Sequence, residues 1–272
     1  MTRTPARRLL PWAALVSFAF LFFVYFQKTY YEVPILMYHH VDYSQGSSGV
    51  YVTPENFERQ MEFLKVHRYQ VMSLPEIIRR LQAGEGFPRK AVGITFDDGY
   101  ADNLINAFPI LKKMDFPAAV FMISSNVGRE GWLSEEDLRI LDGSAVTIGS
   151  HTVHHAFLPE LAAVDVKTEL ADSKSALEKI LGRPVTLFSY PAGGVTPDIK
   201  TWVQKTGYAG AVTTNYGKDR SDPYALHRIK AGDGPGNLFS FWYKTSGFYW
   251  LGKKRVAAKP SAAFPEGAMS DE

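Results

Sequence analysis

Cysteine is absent from all 272 residues. That excludes a disulfide framework, a thiolate-ligated zinc and a thiol nucleophile together. A surplus of either charge is missing too. Lys and Arg number 30 against 28 Asp and Glu, for a formal net charge of +2, without the basic excess that a dedicated nucleic-acid binder shows. No internal repeat is visible. The length suits one domain of ordinary to large size, with apolar content sufficient for a core. Aromatic residues are plentiful, at 14%, and most are expected in that core, although some could form sugar-stacking surfaces.

Charge is wholly lacking from Leu9 to Phe26, LLPWAALVSFAFLFFVYF. As a helix rising about 1.5 Å per residue, this run approaches the hydrocarbon thickness of a bilayer, about 30 Å. Arg3, Arg7 and Arg8 precede it, and Lys28 alone follows closely. The positive-inside rule then keeps the N-terminus in the cytoplasm and exports the rest. The alternative is a cleaved signal peptide, but the run is long for one and no small-x-small site follows. The expected organisation is a basic cytoplasmic stub over 1–8, a transmembrane anchor over 9–26, an exported domain over 27–256, and a disordered Ala-, Pro-, Gly- and Ser-rich tail over 257–272.

In the exported part, short apolar runs alternate with helical patterns. Strands are expected at Val33–Tyr38, Ala91–Phe96, Ala118–Ile123, Ala145–Gly149, Val185–Tyr190, Tyr208–Thr213 and Leu226–Ile229. Helices are expected at Pro54–Val66 with Thr53 as N-cap, Asn103–Met114, Ala163–Leu181 ending at Gly182, and Pro197–Thr206. Strands alternating with helices imply parallel β/α units, and this many suggest a barrel. Reactive groups of such a barrel collect where strands end.

Polar clusters fall at those ends. Thr95-Phe96-Asp97-Asp98-Gly99 places two carboxylates side by side, an arrangement that a cation or a proton relieves; taken alone, the dipeptide reads first as an Asp-Gly turn. Ser150-His151-Thr152-Val153-His154-His155 gathers three of the seven histidines. The spacing of His151 and His155 on a helical turn would turn both imidazoles one way, as metal ligation needs, and a solvated polar loop is the other reading. Ser189-Tyr190-Pro191-Ala192-Gly193-Gly194 could present a backbone N–H to a developing oxyanion, or be plain turn chemistry. Tyr38-His39-His40-Val41 closes the first strand. One Asp and two His would leave coordination positions open for water and substrate.

In this order, the motifs resemble the polysaccharide deacetylase family, also called the NodB-homology domain or carbohydrate esterase family 4. The resemblance spans about Val33 to Ile229 and includes Asn106–Lys113 and Phe116–Phe121. It implies a distorted (β/α)7-type, NodB-like barrel preceded here by one transmembrane helix. It also implies metal-dependent hydrolysis of N-acetyl groups from an amino-sugar polysaccharide of the cell envelope. By the same resemblance Asp97 is the catalytic base and Asp98, His151 and His155 hold a divalent metal, zinc foremost, with cobalt, nickel or iron able to substitute. Ala192 supplies an oxyanion N–H, and Tyr190 and Pro191 lie at the substrate.

The sequence departs from the family pattern at three places. Ser189 stands where most members carry an Arg that holds the base, with Arg228 the candidate substitute, and Ala192 stands at a Tyr. Leu226-His227-Arg228-Ile229 lacks the usual Leu-x-His spacing of the general acid. In a subgroup acting on exported poly-N-acetylglucosamine an early Tyr-His-x-Val supplies that acid, which here is His39, with His227 the fallback. His40 and His67 remain structural or surface residues. The expected partners are the N-acetylated polysaccharide, the cytoplasmic membrane, and synthesis or export machinery; nucleic acid is not one. A small-molecule amidase of this fold and a catalytically inactive carbohydrate-binding module of an export complex are the competing functions.

Overall fold

The computed structural model describes residues 31–43, 50–214, 222–232 and 238–250, with a few positions between 15 and 22. The chain forms two compact units, residues 1–32 and 33–272. In the first, Leu15, Ser17, Phe18, Ala19, Leu21 and Phe22 are helical. No helix of the described residues is long and apolar enough to cross a membrane. Most of the expected anchor, all of the 1–8 stub and all of the 257–272 tail lie outside the described residues.

The second unit is built on parallel strands. β1 (Ile35–Tyr38) pairs β5 (Ala91–Phe96), with Ile35 opposite Gly93 and Tyr38 opposite Phe96. The order continues through β6 (Ala118–Met122), β7 (Val146–Ser150), β8 (Leu187–Ser189) and β9 (Gly210–Thr213). Two short strands, β10 (Leu226–His227) and β11 (Ile229–Lys230), then join the two ends: β10 pairs β9, while β11 pairs β1. One segment therefore closes the sheet into a barrel, with Arg228 at the point where it changes partner. β2 (His40–Val41) and β3 (Tyr51–Val52) form a separate parallel pair, and β4 (Gln70–Val71) adds to the first residues of β5.

The strands read as unbroken apolar runs because helices cover the sheet; every residue of β5 and β6 is buried. At Gly149 a Cβ would come within 2.6 Å of the Phe121 ring, so glycine allows β6 and β7 their close approach. Helix α1 (Pro54–Val66) starts as its sequence dictates. The Thr53 side chain accepts from the Asn56 N–H, Pro54 sits where no N–H is needed, and Phe57, Met61 and Leu64 face the core. Helix α5 (Ala163–Leu181) stops at Gly182, in the left-handed conformation.

Four more helices complete the set: α2 (Leu74–Gln82), α3 (Phe108–Met114), α4 (Glu135–Asp142) and α6 (Pro197–Lys205). A seventh, α7 (Leu238–Thr245), follows β11. The expected Asn103–Met114 helix is two pieces, since Asn103–Ala107 is π-helical and only then does α3 begin. Pro109 has no N–H to continue the ladder. The side chains of Asn103 and Asn106 also reach out of the helix to the carbonyls of His39 and Val41, at 2.8 and 2.7 Å. Helices α2, α4 and α7 were not expected. The first two carry N-terminal signals in plain view, Ser73 capping Glu76 and a Ser134–Asp137 capping box.

Candidate metal centre and active site

Five strand ends bring side chains to one place. Asp97 and Asp98 follow β5, His151 and His155 follow β7, Ser189 ends β8, Arg228 joins β10 to β11, and His39 follows β1. Asp98, His151 and His155 offer ligand atoms that all lie within 4.8 Å of one another. Asp98 Oδ1 is 3.5 Å from His151 Nε2 and 3.6 Å from His155 Nε2. That oxygen is buried with no hydrogen-bond partner, an arrangement that disfavours a carboxylate unless a cation completes it. The other ring nitrogen of His151, Nδ1, is 2.8 Å from the Ser189 carbonyl oxygen. Nδ1–H donates there, which leaves the Nε2 lone pair aimed at Asp98. The residues present thus fit a divalent cation held by one carboxylate and two imidazoles.

Asp97, beside this cluster, is gripped by Arg228 through two parallel hydrogen bonds. Nη1 donates to Oδ1 and Nη2 to Oδ2, each at 2.6 Å. The guanidinium is itself buried, 2% exposed, and donates further to Thr95 Oγ1 at 3.2 Å and Ser189 Oγ at 2.9 Å. Its plane lies over the Phe121 ring, 5.5 Å from the centroid. Burial pushes the Asp97 carboxyl upward, but the charges of Arg228 and His151, the Arg228 hydrogen bonds and His39 together hold it well below the usual carboxylate range. Burial also lowers the His39 imidazole, against the pull of Asp97 and Asp98, and His39 Nδ1 is buried without a hydrogen-bond partner.

Backbone strain collects at the same place. Of the seven non-glycine residues with positive φ among those described, Asp98 and His155 belong to the cluster, Thr152 follows His151, and Ala192 lies three residues past Ser189. Such conformations persist only where the surroundings enforce them. For the histidine loop the enforcing group is Glu169 of α5, which accepts from the N–H groups of Val153 and His154 at 2.8 and 3.0 Å and from His154 Nδ1 at 2.7 Å. Ala192 lies in the turn Pro191–Gly193 at φ 50° and ψ 18°.

The structure does not bring every expected residue to the site. Tyr190 is fully buried, and its hydroxyl donates to the Tyr224 carbonyl at 2.9 Å. Its ring packs edge-on against Phe188. It is a core residue, and the expectation of a substrate contact through this side chain is corrected. Pro191 beside it is also buried. His227 precedes Arg228 at the end of β10, with its Nε2 buried. His40 pairs with Asp102 at 2.6 Å and stacks between Tyr51 and Tyr100. Glu169, and Tyr100, whose hydroxyl is held above its ordinary pKa by burial and by the nearby Asp98, were not anticipated. Glu169 had a legible signal, being an acidic residue on the same α5 face as Val166, Leu170, Ser173 and Leu177.

A parallel barrel with an Asp-His-His cluster and a clamped aspartate at its strand ends has the architecture of a metal-dependent hydrolase. The polysaccharide deacetylase family pattern matches residues 84–211. YxkH of Bacillus subtilis (strain 168), named for that family, is 36% identical over 205 residues, covering 75% of this chain and 72% of that protein. The poly-beta-1,6-N-acetyl-D-glucosamine N-deacetylase of Staphylococcus aureus (strain MSSA476) is 26% identical over 198 residues, covering 67% of this chain and 68% of that one. Among solved structures, the Streptococcus pyogenes deacetylase PplD in complex with acetate superposes with a TM-score of 0.71 at 28% identity, over 77% of this chain and 97% of that chain. The chain belongs to the polysaccharide deacetylase family, and is a hydrolase of that class.

Proposed function

We propose that this chain removes N-acetyl groups from an amino-sugar exopolysaccharide of the poly-N-acetylglucosamine type, outside a cytoplasmic membrane to which residues 9–26 anchor it. The observation that carries the chemistry is the convergence of Asp98, His151 and His155 beside an aspartate locked by Arg228. Similarity to the S. aureus enzyme supports the polymer class, and the apolar run after Arg3, Arg7 and Arg8 supports the anchor. The Arg228 guanidinium on Asp97 fills the role of the Arg missing at Ser189, which supports a catalytic reading over a binding module.

Asp98, His151 and His155 would hold the cation, zinc before cobalt, nickel or iron, which when bound supplies an acidified water and polarises the acetyl carbonyl. Asp97 takes the proton of the attacking water, with Arg228 fixing which way its oxygens face. The Ala192 N–H donates to the oxyanion that forms, held in place by its strained turn. His39 delivers a proton to the departing sugar amine. Glu169 fixes the loop that carries His151 and His155.

The test is acetate release by the metal-loaded protein from N-acetylglucosamine oligomers of rising length and from peptidoglycan. Release that needs metal and Asp97 and grows with chain length is expected. Release from a monomer at the same rate would favour a small-molecule amidase, and metal binding with tight polymer binding but no release from any substrate would overturn the catalytic reading.

A further inference from the structure

Helix α7 turns aromatic side chains to solvent. Phe241 and Thr245 face inward, 4% and 1% exposed, with Phe241 against the Phe63 ring and Thr245 Oγ1 donating to the Tyr69 hydroxyl at 3.1 Å. Phe239, Trp242 and Tyr243, spaced i, i+3 and i+4 and therefore on one side of the helix, are 68%, 47% and 40% exposed. Exposed apolar residues grouped in this way, rather than scattered singly, mark an interaction surface. Phe239 and Trp242 rings touch at 5.4 Å, and Tyr243 meets Tyr249 at 5.3 Å. Lys244 lies in the helix, and Lys253, Lys254 and Arg255 follow it in sequence. Amphipathic aromatic rings beside cations match the boundary between acyl chains and anionic headgroups.

The placement of α7 in the barrel bears on this. Phe63 is in the last turn of α1, and Tyr69 precedes β4, which pairs the first two residues of β5. Asp97 follows the last residue of β5. Helix α7 therefore sits at the opposite end of the barrel from the metal cluster. It sits at the end where the chain enters, since the Pro34 carbonyl accepts from Gly93 at the start of the sheet.

We propose that the Phe239–Trp242–Tyr243 face of α7 lies in the interfacial layer of an anionic lipid bilayer, holding the barrel with its catalytic mouth turned away from the membrane. Lys244 and the basic run Lys253-Lys254-Arg255 that follows in sequence favour anionic lipid, a basic residue near such a surface gaining about five-fold in affinity. The inference rests on this face and stands apart from the anchor reading of residues 9–26.

Because cysteine is absent, a single introduced one takes a nitroxide label uniquely. The full chain would be placed in nanodiscs containing phosphatidylglycerol, with labels at Ser240→Cys beside the aromatic row, Ala171→Cys on α5, and Ala19→Cys in the anchor run. Collision with oxygen and with a water-soluble nickel chelate is then compared. The expected result is oxygen-favoured, nickel-poor exposure at position 240 and the reverse at 171. The lipid signature at 240 should be lost in Phe239→Asp/Trp242→Asp, with far-UV circular dichroism unchanged. Water-like exposure at 240 overturns the proposal, whatever position 19 shows. Shielding of 240 from both reagents also overturns it, by showing the face covered by protein, whether residues 9–26 or a second copy. A water-like label at 19 with a lipid-like label at 240 supports the proposal while removing the anchor.

Discussion

Arg228 and Asp97 meet through two hydrogen bonds of 2.6 Å although they lie 131 residues apart in sequence. Both are buried, and the geometry is a fork on a carboxylate, which lysine cannot copy. Arg228→Lys should keep the charge but lose the orientation, lowering kcat by about 10²-fold, in the range set by misplacing a catalytic group. Arg228→Ala leaves a buried carboxylate alone and should destabilise the fold by about 3–5 kcal/mol. Steady-state acetate release and urea denaturation separate the two. Near-normal kcat in Arg228→Lys would show that charge alone suffices.

Asp97→Asn should leave metal binding intact and lower kcat by roughly 10²–10⁴-fold, the usual contribution of a positioned base. Metal content by atomic emission and turnover on the same sample check it. Loss of metal in this variant would make Asp97 a ligand rather than a base.

Glu169 offers a prediction independent of the reaction. Glu169→Ala frees the N–H groups of Val153 and His154, and the loop that carries His151 and His155 loses its tie to α5. Metal affinity should fall about 10–100-fold, as it does when groups supporting ligands are removed. Glu169→Gln, which retains an acceptor oxygen, should recover part of it. Titration calorimetry with zinc and the visible spectrum of the cobalt-loaded protein read the effect without turnover. Equal affinity in all three proteins would reduce Glu169 to packing.

His39 predicts a pH effect on the metal-free protein. Burial lowers its folded-state pKa, so below the ordinary value of about 6.5 the unfolded chain binds a proton that the folded one resists. Stability conferred by neutral His39 is complete above that value and declines as pH falls beneath it, with a slope of at most about 1.4 kcal/mol per pH unit. His39→Gln should flatten that decline between pH 7 and 5. Urea midpoints across the range test it, and identical profiles would place His39 in a more solvated setting than this structure shows. In turnover, His39→Ala should be far more damaging than His227→Ala, because His39 lies within reach of the charges of Asp97 and Asp98.

Local residue order determined much of this protein. Apolar runs marked the strands that bear the site, since parallel strands covered on both faces need no alternation. Thr53-Pro54 and Gly182 marked helix ends through their own backbone chemistry. The Asp-Asp and His-x-x-x-His groupings announced a metal cluster, because adjacent residues at one strand end must share its surroundings.

Only the tertiary structure decided what depends on barrel closure. Arg228 reaches Asp97 because one short segment pairs β9 and then β1, and nothing in Leu226–Ile229 read alone says which way its side chains turn. Tyr190 was placed at the substrate by its neighbours in sequence, yet its ring faces the core. Glu169 became the acceptor for the histidine loop because α5 packs beside the end of β7. Motif and capping signals act within a few residues and are visible in the chain. The partner of a buried charge is fixed by contacts across the fold, and those exist only once the sheet has closed.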